Sequence, residues 1–136
     1  MKTTTNWKKN LEFDSQFEEY TISNLNGGND TEGNRLGFSP KALLLSGLAG
    51  CSGIDVVDIL TKKKVVFTGL EIVSEAETSE THPKVFTAIT IVYKVHTAPE
   101  NLDKVKHAVE LSLTKYCGVS AMLSKNSPII PIIEII

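Results

Sequence analysis

The sequence predicts an α+β domain, and three observations carry that reading. Runs with a hydrophobic period of two lie at both ends and in the middle of the chain. A long stretch from Lys41 to about Lys62 is apolar or small on nearly every side. A shorter stretch after Pro99 carries a helical stripe. Strands and helices that do not alternate regularly fit an α+β arrangement better than a parallel doubly wound sheet.

The elements follow in order. Trp7 to Phe13 and Phe17 to Leu25 read as two strands, with Asp14 and Ser15 as the turn between them. Asn26 to Asn34 is rich in residues that tolerate positive φ and reads as a surface loop, closed by Arg35, the only arginine. Ser39 followed by Pro40 marks a helix start, a hydroxyl cap before a proline in the first turn. A helix this apolar is expected to be buried among other elements. Gly47, Gly50 and Gly53 each weaken a helix by about 1 kcal/mol relative to alanine, so they suggest close approach of another backbone. At 100° per residue, Cys51 shares a face with Leu44, Leu48, Asp55 and Asp58. Val65 to Thr78 and Val85 to His96 form a hairpin around Ser79 to Lys84. A second helix runs to about Tyr116 on the stripe Leu102, Val105, Val109, Leu113. Val119 to Lys125 is a short helix, and Ile129 to Ile136 a closing strand that Pro131 confines to a sheet edge.

Composition narrows the function. The chain has 136 residues and a formal net charge of −2, which suits one domain and gives no electrostatic footprint for nucleic acid or an anionic membrane. Lys62 to Lys64 is the only basic cluster and reads as a solvated helix end. The N-terminus lacks a signal-peptide pattern, and no segment approaches the roughly 20 apolar residues of a bilayer span. A cytoplasmic location is expected, where cysteines are mostly reduced. The three histidines are scattered, and no metal-ligand spacing is present.

Cys51 and Cys117 are the only cysteines, each in or beside a helix. A thiolate can attack a peroxide, and a second thiol can then resolve the sulfenic acid to a disulfide before overoxidation. Two cysteines suffice if the fold brings them together. Two buried cysteines acting as small hydrophobes would satisfy the count equally well.

The flanking residues tip that balance. Ser39, Pro40, Leu43 and Leu45, then Ala49 to Ser52, Ile54 to Val57, Ile59 and Leu60, resemble the cysteine-bearing central helix of the OsmC/Ohr family. Leu111, Ser112, Lys115 to Cys117, Val119 and Ala121 to Leu123 resemble its second cysteine segment. The resemblance runs from about Gly37 to the C-terminus and is weaker over residues 1–36, so 1–136 reads as one OsmC-like domain. It implies an intertwined homodimer in which long central helices are flanked by sheets. It also implies reduction of organic hydroperoxides or hydrogen peroxide without metal or organic cofactor. By position, Cys51 would be the attacking thiolate and Cys117 the resolving thiol, regenerated by a dithiol or lipoyl-type reductant.

The better-studied peroxidases of that family carry a glutamate just after the helix-starting proline, paired with an arginine beside the thiol. Here Lys41 and Ala42 follow Pro40, and Arg35 does not align with that arginine. Asp55, one turn after Cys51, places negative charge beside it and works against a thiolate unless Lys41 or Arg35 brings a cation. By charge alone, Cys117 at the start of a short helix is the better nucleophile; the resemblance assigns that role to Cys51. Tyr116 beside Cys117 lines either the pocket or the core. The alternative reading keeps the fold but little turnover: a redox-sensing or apolar-ligand-binding dimer.

Overall fold

In the computed structural model, which describes all residues from Met1 to Ile136, the chain forms two compact units, Met1–Leu44 and Leu45–Ile136. The first holds an antiparallel meander of β1 (Thr4–Lys9), β2 (Glu12–Phe17) and β3 (Tyr20–Asn26). Three strands stand where two were expected. Asp14 and Ser15 lie inside β2, and the turns are Asn10-Leu11 and Glu18-Glu19, with positive φ at Asn10 and Glu18. The Asp-Ser pair marks an irregularity instead of a turn. The register slips between Phe13 and Ser15, opposite Asn24 at φ 58°, and the Asp14 carboxylate accepts the Asn24 N–H at 3.3 Å. That is a β-bulge held by a side chain. Glu18-Glu19 carries no turn composition, which is why the sequence concealed it. The sheet buries little: Trp7, Tyr20 and Ile22 are all exposed.

α1 (Pro40–Lys62) starts where the Ser39-Pro40 pair indicates, with the Ala42 and Leu43 N–H groups bonded to the Ser39 carbonyl. Within the chain this helix is buried on one face only, through Leu48, Ser52, Gly53, Val56 and Leu60. Two expectations change as a result. Gly53 alone meets a neighbour, the Ile72 side chain, whereas Gly47 and Gly50 face open space. By length and composition α1 also meets the requirement for a membrane span, with mean hydropathy 1.7 over 18 residues, of which only 22% are buried. Its glycines and alanines lengthen the apolar stretch without standing out as large apolar residues.

The second unit is built on β4 (Phe67–Thr78), β5 (Phe86–Thr97) and β6 (Ile129–Ile135), in the order β4-β5-β6. β4 and β5 form the expected antiparallel hairpin. β6 runs parallel to β5 at the sheet edge, the position where Pro131 is tolerated. β5 alternates, burying Ile89, Ile91, Tyr93 and Val95. These pack in one core with Leu48, Val56 and Leu60 of α1 and with Val105, Ala108 and Val109 of α2 (Leu102–Leu111). A single 3₁₀ turn, Pro99–Asn101, leads into α2, and α3 (Gly118–Leu123) follows Cys117. The expected second helix therefore stops at Leu111 and continues as a π-turn over Ser112–Tyr116.

Leu60 is fully buried in this core. Leu60→Ala is expected to destabilise the protein by about 2–5 kcal/mol, read from urea unfolding at fixed protein concentration. A loss below about 1 kcal/mol would contradict the packing.

Candidate active site

Cys51 and Asp55 each precede a residue of the buried face of α1, Ser52 and Val56, so they stand at its edge and are half-buried. Four residues apart, they stack on one side of the helix. The partner segment arrives through the π-turn. The Cys117 N–H bonds the Ser112 carbonyl at 2.8 Å, closing a five-residue step in place of the α-helical four. Ser112 continues the stripe of Val105 and Val109, while the wider turn swings Cys117 inward to 3% exposure. Cys117 caps α3, its sulfur accepting the Ser120 N–H at 3.3 Å. The outcome is a cluster: Cys51 Sγ, Cys117 Sγ and a carboxylate oxygen of Asp55 lie within 4.8 Å of one another. Both cysteines are free thiols. Three potential metal ligands thus converge where sequence spacing suggested none, because they come from separate elements.

A chain of hydroxyls stands behind the cluster. Ser112 Oγ lies 2.9 Å from Asp55 Oδ2 and 3.0 Å from Ser52 Oγ, and Ser52 Oγ is bonded to the Tyr93 hydroxyl. An ionised carboxylate only accepts. Ser112 is the donor toward both Asp55 Oδ2 and Ser52 Oγ, while either hydroxyl of the Ser52–Tyr93 pair can donate to the other. Tyr93, Ser52 and Ser112 are fully buried, so each needs the others to avoid an unpaired polar group. Burial pushes the Tyr93 phenol up to about 12, against the opposing effect of its Ser52 bond.

Burial also pushes the Cys117 thiol up to about 11, and its hydrogen bond with Cys51 adds to this. The Ser120 N–H at the start of α3 works the other way but is the smaller effect. The expectation that helix-start electrostatics would make Cys117 the thiolate is therefore overturned. Desolvation outweighs the amides of a six-residue helix.

The remaining candidates divide. Tyr116 is exposed, its ring 5.3 Å from the Lys115 ammonium, and it lines a pocket of about 230 Å³ with Asp55, Asp58, Lys62 and Leu111. Asp58 forms an exposed ion pair with Lys62 at 2.6 Å. Arg35 lies in an exposed loop, bridged to Asn29, and Lys41 in the exposed first turn of α1; both belong to the N-terminal unit. Ser52 and Ser112 entered the sequence reading only as parts of the two cysteine segments, and Tyr93 only as part of a strand; none was given a role. Their only signal is polarity at positions whose period places them on apolar faces.

A family model described as OsmC-like protein matches residues 29–132. Protein YhfA of Escherichia coli K12 is 38% identical over 87 residues, which are 64% of this chain and 65% of YhfA. The chain thus spans just under two thirds of that relative's length. An OsmC like protein from Mycoplasma pneumoniae superimposes with TM-score 0.84 at 17% identity, over 99% of this chain and 96% of that one. The organic hydroperoxide resistance protein OhrB of Bacillus subtilis does so with TM-score 0.66 at 15% identity, over 98% and 96%. At such identities the likeness concerns the fold. With the family match covering most of its length, the chain belongs to the OsmC-like protein family.

Proposed function

We propose that this protein is a cysteine-based peroxidase that reduces small or organic hydroperoxides in defence against oxidative stress. The observation that supports it is the convergence of two free thiols and one carboxylate within 4.8 Å. Cys51 is the more exposed of the two sulfurs and so the one a peroxide meets first. The Cys51 thiolate attacks the peroxide, the O–O bond breaks, one oxygen stays on sulfur and the other leaves as the alcohol or water. The Cys117 thiol then displaces water from the Cys51 sulfenic acid to form the disulfide. An external dithiol, of lipoyl type or similar, returns the pair to its reduced state and carries away the two oxidising equivalents.

Asp55 takes over proton handling in the absence of the glutamate–arginine pair. It accepts the Cys51 proton and returns it to the departing oxygen, while Ser112 holds its carboxylate in place. Cumene hydroperoxide, added to reduced protein with excess dithiol, is expected to be consumed catalytically, and Cys51→Ser to fall to background. Asp55→Asn is expected to slow the reaction by on the order of 10²-fold. Equal rates for wild type and Cys51→Ser would end the peroxidase reading.

The protein acts as a homodimer in the cytoplasm, a reading that rests on the open face of α1. Ile54 is 73% exposed, and with Val57, Ala49, Gly50 and Gly53 it lines an apolar pocket of about 740 Å³. Burying an isoleucine is worth roughly 1.5–3 kcal/mol, so leaving this stripe in water is costly. Gly47 and Gly50 leave room for a second helix to approach. A second copy covers the face better than lipid, because Asp55 and Asp58 would be expensive at a bilayer centre. Reduced, unpaired thiols suit the cytoplasm. Sedimentation at micromolar concentration is expected to give a dimer, and Ile54→Glu a folded monomer. A monomeric wild type would refute the dimer.

A further inference from the structure

We infer that the reduced Cys51, Asp55, Cys117 cluster is also a binding site for a soft divalent cation of the zinc class. Zinc takes two thiolates at about 2.3 Å and a carboxylate oxygen at about 2.0–2.2 Å in a tetrahedron, which sets the two sulfurs roughly 3.8 Å apart. The mutual separation of at most 4.8 Å needs little adjustment to reach that geometry. The ligand set discriminates by chemistry: two thiolates favour zinc, cobalt or cadmium over magnesium or calcium, which prefer all-oxygen shells.

The surroundings resemble those of a built metal site. Ser112 donates to Asp55 at 2.9 Å and is itself fixed by Ser52 and Tyr93, so one ligand is already held by a second layer of hydrogen bonds. That bond uses one oxygen of a carboxylate that can accept several, so capacity for a cation remains. Cys117 is held through the Ser120 N–H to its sulfur. Cys51 and Asp55 are half-buried, and Asp55 also lines the 230 Å³ pocket, so the cluster lies at the margin of the core; three protein ligands leave the fourth position to water. As the cation enters, the two thiol protons leave to solvent. Metal and peroxide then compete for the same sulfurs, so an occupied site is protected from oxidation and inactive. Binding itself does not depend on whether the protein turns peroxide over.

The test uses the full, reduced chain and cobalt(II), followed by competition with zinc(II). One cobalt per chain is expected, with thiolate-to-cobalt charge transfer in the near ultraviolet, visible bands of tetrahedral intensity, and complete displacement by zinc. Ser112→Ala is expected to weaken binding about tenfold or more without removing a ligand. Asp55→Asn should weaken it further and alter the visible bands. Wild-type protein alkylated at its cysteines serves as the control that needs no substitution, and it is expected to show no charge-transfer band. Absence of that band in reduced wild type overturns the inference, as does a spectrum unchanged by Asp55→Asn in a variant whose circular dichroism matches wild type. In either case hydroperoxide consumption by metal-free protein still reports separately on the peroxidase.

Discussion

The site depends on a half-buried carboxylate being held from behind by a hydroxyl network. Asp55 lies beside two sulfurs at the margin of an apolar core, a costly place for a charge unless it is hydrogen-bonded. Ser112 supplies that bond, and Ser52 and Tyr93 complete a line of hydrogen-bonded hydroxyls running from β5 through α1 to the π-turn. Three elements are thereby fixed relative to one another by polar contacts inside a packed core. Loss of Ser52 leaves the buried Tyr93 hydroxyl without its partner, which costs more than the bond itself contributes.

The π-turn has a specific task within this arrangement. An uninterrupted α-helix from Leu102 through Cys117 would carry Ser112 and Cys117 to positions five residues, or about 500°, apart. The wider turn closes that step with one hydrogen bond from Cys117 to Ser112. One segment then delivers both a hydroxyl for Asp55 and a thiol for Cys51. Burial pushes the Cys117 thiol up to about 11. Two chemically identical side chains thus differ in depth, Cys51 half-buried and Cys117 buried.

Much of the fold was legible because its signals are local. Ser39-Pro40 marked the start of α1, the alternation of β5 marked a strand with one buried face, and Pro131 placed β6 at an edge. The N-terminal strands were misdivided because a bulge and a turn share Asp, Asn and Ser, and only pairing distinguishes them. At the site, Cys51, Cys117 and Asp55 could be named from residue type and family resemblance. The roles of Ser52, Ser112 and Tyr93 could not, since a serine on an apolar stripe looks like indifferent composition until the carboxylate it serves is placed beside it. The preference of charge for Cys117 failed for a related reason: sequence shows a helix start, but desolvation is a property of the packed molecule.

Burial also explains why α1 looked more enclosed than it is. Its apolar residues surround the helix, yet the chain covers only one side, and the remaining side carries Ile54 and Val57 in the open. The functional and the assembly readings thus share one helix, with the sulfur chemistry at the margin of its inner face and the self-association on its outer one. What most directly tests the central claim, that the two thiols form one reactive unit, is peptide mapping by mass spectrometry after one equivalent of hydroperoxide. The expected result is an intramolecular Cys51–Cys117 disulfide in nearly every chain, with Cys117→Ser instead trapping Cys51 as a sulfenic acid. Oxidation that leaves both cysteines reduced, or that links cysteines only between chains, would contradict it.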